Sequence, residues 1–75
     1  MQYVAGKKIK IMALKKGLKP YFRQKLLAMG VVPGAVFEVQ RVAPLGDPVH
    51  ITIHGFDISL RKQDLAMLDL LECLE

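Results

Sequence analysis

The sequence predicts a mainly β fold, a small and strongly bent β-barrel of about five strands with one helix inserted between the first two. Short segments alternate apolar and polar residues, which is the pattern of half-buried strands. Glycines and prolines separate these segments at short intervals, as turns require. A chain of 75 residues has room for one core, so residues 1–75 are expected to form a single domain. A flat sheet of such strands would leave apolar edges exposed, which favours the bent barrel.

The first strand and the helix are predicted within residues 8–30. The segment 8–11, Lys-Ile-Lys-Ile, alternates charged and β-branched side chains and predicts a strand. After a polar break, Pro20 suits the first turn of a helix, where its missing N–H costs nothing. Lys19 is a poor cap for that helix, and Gly30 predicts its end. An apolar stripe at helical spacing is formed by Phe22, Leu26 and Met29.

The middle of the chain predicts a turn, a strand and a loop. Pro33 and Gly34 occupy the central positions of a type II turn. Residues 37–40 alternate apolar and polar side chains and predict the second strand, and the break in alternation at residues 41–42 predicts a bulge or strong bend. Two prolines and a glycine make residues 43–48 a loop.

Two hairpin strands, a short helical turn and a last strand complete the barrel. Residues 50–54 predict the third strand, Gly55 starts a tight turn, and residues 56–60 predict the fourth strand. The apolar face of that fourth strand is expected to consist of Phe56, Ile58 and Leu60. Residues 61–66 suit one short helical turn, and the fifth strand is predicted to begin at Leu68 and Leu70.

Charge is distributed unevenly along the chain. The formal net charge is +4, yet residues 1–25 contain eight basic residues and no acidic one. Residues 26–75 contain three basic and seven acidic residues. This asymmetry predicts a polarised surface and a charged partner. Because 52% of this short chain is hydrophobic, some apolar side chains are expected to stay on the surface, where a partner could cover them.

The composition argues against an enzyme and against membrane insertion. Two histidines and one cysteine leave few ways to assemble a nucleophile, a base and an orienting group, so no catalytic residue is predicted. No glycine is followed by the Lys-Ser or Lys-Thr of a phosphate-binding loop. No apolar run approaches the roughly 20 residues that cross a bilayer, and the lysine-rich start lacks a signal-peptide core. We therefore expect a cytoplasmic protein, with Cys73 as a buried and unreactive thiol.

The two histidines raise the question of a metal site. His50 and His54 are four residues apart on a predicted strand, so they would lie about 13 Å apart at roughly 3.3 Å per residue. One metal ion with bonds of about 2 Å cannot bind both without a chain reversal. Since no third ligand is obvious, the sequence predicts solvated histidines, no metal site and no cofactor.

Four stretches carry a family resemblance that covers nearly the whole chain. They are the helix PYFRQKLLAMG at residues 20–30, the turn VPG at 32–34, the loop VAPLGDP at 42–48 and the segment LRKQDLA at 60–66. These stretches resemble the FeoA family, the small cytosolic component of bacterial ferrous iron uptake. The resemblance implies an SH3-like β-barrel and a role as accessory to FeoB, a membrane permease with a cytosolic GTP-binding domain. Related barrels also occur in metal-dependent repressors, so the fold alone does not determine the function.

Two features of the exposed surface have open interpretations. Tyr21 and Leu27 flank the apolar stripe of the helix and could either complete the core or face outward. If they face outward, they form a mixed apolar and basic patch with Arg23, a composition that protein interfaces favour. In the loop, the prolines and glycine either only shape the backbone or display Leu45 at a rigid tip.

We interpret the chain as a non-enzymatic interaction module that docks on the cytosolic part of a FeoB-type permease and regulates or supports its activity. The candidate contact residues are Tyr21, Arg23, Lys25, Leu27 and Leu45. The alternative is a small basic barrel that binds nucleic acid or regulates transcription. Nucleic acid is not expected as a partner, because aromatic residues that could stack on bases make up only 7% of the chain. Membrane association is expected to be peripheral at most, at the inner face of the cytoplasmic membrane, and self-association to be weak.

Overall fold

Five antiparallel strands build the fold, seen in a computed structural model that describes residues 1–73. Within these residues the strands pair in the order β4-β3-β2-β1-β5. The elements in chain order are β1 (Lys8–Leu14), α1 (Pro20–Ala28), β2 (Val36–Val42), a 3₁₀ turn (Pro44–Gly46), β3 (Val49–Ile53), β4 (Phe56–Leu60), α2 (Lys62–Leu65) and β5 (Leu68–Glu72). All five predicted strands, the inserted helix and the short helical turn are therefore confirmed.

The sheet curls around one apolar core. In a flat sheet the outermost strands, β4 and β5, would lie about 19 Å apart, at roughly 4.8 Å per neighbouring pair. Nevertheless Leu60 of β4 and Leu68 of β5 belong to the same buried cluster, so the sheet must bend to bring them together. The cluster consists of Ile9, Ile11, Leu26, Val31, Ala35, Phe37, Val39, Val49, Ile51, Ile53, Leu60, Leu65 and Leu68.

Two register shifts help the sheet to bend. In β1 the pairing with β5 shifts between Ile11 and Ala13, and in β2 the pairing with β3 shifts between Val39 and Arg41. An extra residue in one strand bends it and increases its twist. The predicted bulge in β2 is thus present, one residue earlier than the break in alternation suggested.

Helix α1 begins and ends as the sequence predicts. Pro20 occupies the first turn, and Lys19 makes no side-chain cap. At the other end Gly30 has φ +88°, its N–H donates to the Leu27 carbonyl at 3.0 Å, and the Val31 N–H donates to the Leu26 carbonyl at 3.0 Å. This pair of bonds is a Schellman motif, which satisfies the last carbonyls and turns the chain toward β2.

The β3–β4 hairpin corrects two predictions. β3 ends at Ile53, and His54 with Gly55 forms a two-residue turn in which both have positive φ, 51° and 80°. This is the conformation of a type I′ turn, whose twist matches the hairpin, so His50 and His54 do not share a strand face. Phe56 was expected in the apolar face of β4 but is 68% exposed, because it lies at the turn end of an edge strand, beyond the buried core.

Candidate partner-binding site

The outward surface of α1 is the first candidate site. Leu26 is 1% exposed, and Phe22 and Met29 pack against the core beside it. At about 100° per residue, the side of the helix opposite this stripe lies near Gln24 and Leu27. We call the exposed residues on that side the α1 outer strip, formed by Pro20, Gln24, Leu27 and Ala28.

Cations flank the α1 outer strip on both sides. Tyr21 and Lys25 are four residues apart and lie on one flank of the strip, whereas Arg23 lies on the other flank, beside Leu27 of the strip. All four side chains are exposed, Tyr21 at 70% and Leu27 at 36%. The question of whether Tyr21 and Leu27 face the core is thereby resolved in favour of the surface. The four residues do not form one continuous patch, because Tyr21 and Arg23 lie on different flanks.

The sequence-based choice of residues missed part of this surface. Gln24 and Ala28 are exposed at the middle of the outer strip. The sequence did not indicate them as contact residues, because neither is charged or a large apolar residue. The helical period measured from the buried stripe would have identified them. A neutral centre with charged sides resembles the core and rim of a protein interface.

The C-terminal end of α1 borders an apolar depression. Met29 and Gly30 line it from the helix, and His54, Phe56 and Ile58 line it from the β3–β4 hairpin. Its volume is about 360 Å³. Phe56 is therefore exposed beside the helix end, where sequence reasoning placed a core residue.

The opposite end of α1 borders α2. Tyr21 and Phe22 line a cleft of about 340 Å³ together with Gln63, Asp64 and Met67. Tyr21 thus faces the side of the molecule that carries α2, while Leu27 lies about 1.7 turns further along the helix.

Leu45 is displayed at the tip of the loop between β2 and β3. Its side chain is fully exposed, and its backbone has φ 69° and ψ 9°, a left-handed conformation that costs a leucine energy. The loop connects Val42 to Val49, which pair with each other. It therefore lies at the end of β3 that is remote from the His54 turn, and Leu45 does not join Leu27 in one surface.

The basic residues of the first third of the chain do not form a single face either. Lys7 forms an ion pair with Glu72. Lys10, on the outer side of β1, has Val36 and Leu71 as its cross-strand neighbours. Arg23 and Lys25 of α1 flank the outer strip, whereas Lys7 and Lys10 lie in or next to β1, so the charge asymmetry of the sequence does not produce one basic face.

Each histidine contacts a neighbouring residue of the protein. His50 Nδ1 lies 2.8 Å from the Ser59 hydroxyl on the cross-strand neighbour of His50, and His54 covers Gly30. Within residues 1–73 no group of three His, Cys, Asp or Glu side chains is arranged to hold a metal ion.

Cys73 is half-buried, while its predicted neighbour Leu74 lies outside the described residues. Burial raises the pKa of the Tyr3 phenol above its ordinary value.

No helix in the described part of the chain is long and apolar enough to cross a membrane.

Comparison with known proteins identifies the family. Residues 2–69 match the family described as the FeoA domain. A curated relative, the Fe(2+) transport protein A/Fe(2+) transporter FeoB fusion protein of Porphyromonas gingivalis, is 42% identical over 48 residues. That match covers 64% of this chain and only 6% of the fusion protein.

Solved structures show the same fold. Iron(II) transport protein A from Clostridium thermocellum has a TM-score of 0.80 and 36% identity, over 89% of this chain and 40% of that one. The FeoA protein from Chlorobium tepidum has a TM-score of 0.81 and 27% identity, over 93% of this chain and 65% of that one. The SH3-like barrel is thus confirmed, and the chain belongs to the FeoA domain family, whose members are small accessory proteins associated with ferrous iron transport.

Proposed function

We propose that this protein is a non-enzymatic accessory of ferrous iron uptake that docks on the cytosolic part of a FeoB-type permease and biases its activity. The observation that carries the proposal is the Porphyromonas gingivalis relative, in which an Fe(2+) transport protein A is fused to an Fe(2+) transporter, FeoB. Fusion keeps two domains at high effective concentration. The fusion therefore favours a functional interaction between domains of these two kinds.

The α1 outer strip is the proposed contact with the permease. Leu27 and Ala28 supply apolar surface, and Gln24 supplies an uncharged polar group between them. Arg23 and Lys25 flank the strip, and α1 contains no acidic residue. A complementary partner surface is apolar at its centre and acidic at its rim, because charge at the rim steers encounter and apolar burial at the centre stabilises the complex.

The proposed mechanism is a shift between states of the permease. A partner changes such an equilibrium only as far as it binds one state more tightly than the other. Docking of α1 on one conformational or nucleotide state would stabilise that state without any chemistry in this chain. The interaction takes place on the cytoplasmic side, where the permease carries its cytosolic part.

Tyr21 and Leu45 are proposed as further contacts outside the outer strip. Tyr21 extends the Lys25 flank toward α2. Leu45 lies at the other end of the β3–β4 hairpin from the helix terminus, so it reaches a different surface from the one that α1 contacts.

The decisive experiment is ferrous iron uptake in cells that lack this protein and retain the permease. We expect uptake at low iron to fall and to be restored by the wild-type chain but not by Leu27→Asp. Uptake that stays normal without the protein would reject the proposed role. Urea unfolding of purified Leu27→Asp provides the control, since a loss of fold would mimic a loss of contact.

A further inference from the structure

Strand β4 has an open edge on the side that faces away from β3. It is the outermost strand of the sheet, and within residues 1–73 it pairs with β3 alone. The pair that closes a two-residue hairpin turn exchanges both backbone hydrogen bonds, and such pairs recur at every second residue. Counted from Phe56, which closes this turn, the N–H and C=O groups of Asp57 and Ser59 point outward. In the described part of the chain, no backbone group outside β3 bonds to them.

The side chains of these two residues are exposed on the outer face of the hairpin. The Thr52 hydroxyl donates to Asp57 Oδ1 at 2.8 Å, and Ser59 Oγ lies 2.8 Å from His50 Nδ1. Asp57 Oδ2 has no hydrogen-bond partner among residues 1–73. When His50 donates from Nδ1, the Ser59 hydroxyl has a proton left to donate. The edge therefore presents an acceptor at Asp57 and a donor two residues later.

We propose that β4 pairs with β4 of a second copy of this chain, antiparallel about a two-fold axis at Ile58. Asp57 then lies opposite Ser59 of the second copy, and Ser59 lies opposite Asp57. Both residues of each pair donate and accept one backbone hydrogen bond, so the outward groups of the edge are all used. The two sheets join into one, and because each copy uses the same edge, the assembly closes at two chains.

The side chains make this edge complementary to itself. Neighbouring strands carry a row of polar residues across the outer face, formed by Arg41, His50 and Ser59. Across the axis this row continues with Asp57 of the second copy, whose free carboxylate oxygen can accept the Ser59 hydroxyl proton. The same contact forms twice, by symmetry. An extended segment of another protein needs its own acceptor and donor at this spacing, whereas a second copy supplies both.

Asp57 also selects the register of the pairing. A carboxylate on an open edge opposes pairing with a like-charged strand. A shift of two residues in one direction places Asp57 opposite Asp57 of the second copy, which is destabilising. The opposite shift places Asp57 opposite Arg61, whose N–H already donates to Asp64 Oδ2. Only the register centred on Ile58 leaves every outward N–H with an acceptor.

The apolar side chains of β4 meet on the other face of the joined sheet. Ile58 is half-buried and lies opposite Ile58 of the second copy. Phe56, which is 68% exposed, lies opposite Leu60 of the second copy and loses part of its exposed surface. Since β4 has five residues, the interface is small and the dimer is weak. This self-association goes beyond docking on the permease and can be tested without it.

The test is sedimentation equilibrium of the purified protein between about 10 µM and 1 mM, a range in which weak dimers dissociate. We expect the mean mass to rise from monomer toward dimer. Ser59→Asp should raise the dissociation constant about tenfold, because it places a carboxylate opposite Asp57 at two symmetric positions. The double variant Asp57→Lys/Ser59→Asp places opposite charges across the axis and should return to within about threefold of wild type.

Hydrogen exchange locates the contact. The N–H groups of Asp57 and Ser59 should exchange about tenfold more slowly when about nine-tenths of the chains are paired, because only unpaired edges exchange. Circular dichroism of each variant shows that it remains folded. Lys16→Gln changes the net charge as Ser59→Asp does, at the exposed turn before α1, and should stay within about twofold of wild type.

Three results would each overturn the proposal. They are a wild-type chain that stays monomeric at the highest concentration, equal effects of Ser59→Asp and Lys16→Gln, and a folded double variant that does not recover. If wild type is monomeric and Ser59→Asp instead weakens co-purification with the permease, the pairing of two copies is also wrong, and the β4 edge binds the permease.

Discussion

The imidazole of His54 covers Gly30 so closely that a methyl group on this glycine would lie 2.7 Å from the ring carbon Cδ2. The contact joins the end of α1 to the turn between β3 and β4. It forms one wall of the apolar depression that Met29, Phe56 and Ile58 also line. The position of the α1 outer strip relative to the sheet thus depends on this contact as well as on the buried stripe.

Gly30→Ala is expected to destabilise the protein by about 1–2 kcal/mol. Most of the loss comes from the left-handed backbone, φ +88°, which alanine adopts at a cost. A smaller part comes from displacement of the His54 ring. Urea unfolding followed by circular dichroism measures the free energy of unfolding.

The contribution of His54 is obtained from a double-mutant cycle. Gly30→Ala should cost about 0.5 kcal/mol less in a His54→Ala background than in wild type, since the close contact is then absent. Equal costs in both backgrounds would mean that the ring moves aside freely and that backbone strain accounts for the whole effect.

Leu26 and Leu27 are adjacent in sequence and should respond differently to truncation. Leu26→Ala removes a side chain that is 1% exposed and is expected to cost about 3 kcal/mol. Leu27→Ala removes a half-exposed side chain and should cost less than about 1 kcal/mol. Thermal unfolding compares the two. A large loss for Leu27→Ala would place this residue in the core and remove it from the outer strip.

Local patterns were enough to predict the secondary-structure elements: alternation predicted the strands, turn residues separated them, and an apolar stripe predicted α1. Phe22, Leu26 and Met29 recur at helical spacing, and Gly30 marks the end of the helix. Local patterns of this kind depend on nearby residues only, so they can be recognised in one sequence.

The surfaces could be predicted only in part. Arg41 and Lys62 are 21 positions apart in the chain, and they flank the same loop because Val42, Val49 and Leu60 pair across three strands. Such proximity depends on register, which no local pattern encodes. The prediction that Phe56 is buried was wrong for a related reason. Alternation identifies which residues share a face of the strand, but it does not show where along the strand the core ends.

Asp47 is expected to stabilise the loop that displays Leu45. Its carboxylate accepts the Lys62 N–H at the first turn of α2, a donor that has no partner within the helix. Asp47→Ala should therefore cost about 1 kcal/mol of unfolding free energy. Asp69→Ala, which removes the same charge from an exposed position on β5, is the control and should stay within about 0.5 kcal/mol of wild type.

The charges that flank the α1 outer strip should control how fast the permease is bound, and Leu27 should control how long the complex lasts. Arg23→Glu/Lys25→Glu is expected to lower the association rate at least tenfold at low salt and less at high salt, because rim charges act mainly through steering. Leu27→Asp should instead raise the dissociation rate at both salt concentrations, since it places a charge at the apolar centre. Surface plasmon resonance on the detergent-solubilised permease separates the two rates. Lys15→Glu/Lys16→Glu carries the same change of charge and serves as control; if it slows association equally, the α1 cations act only through net charge and the proposed rim is wrong.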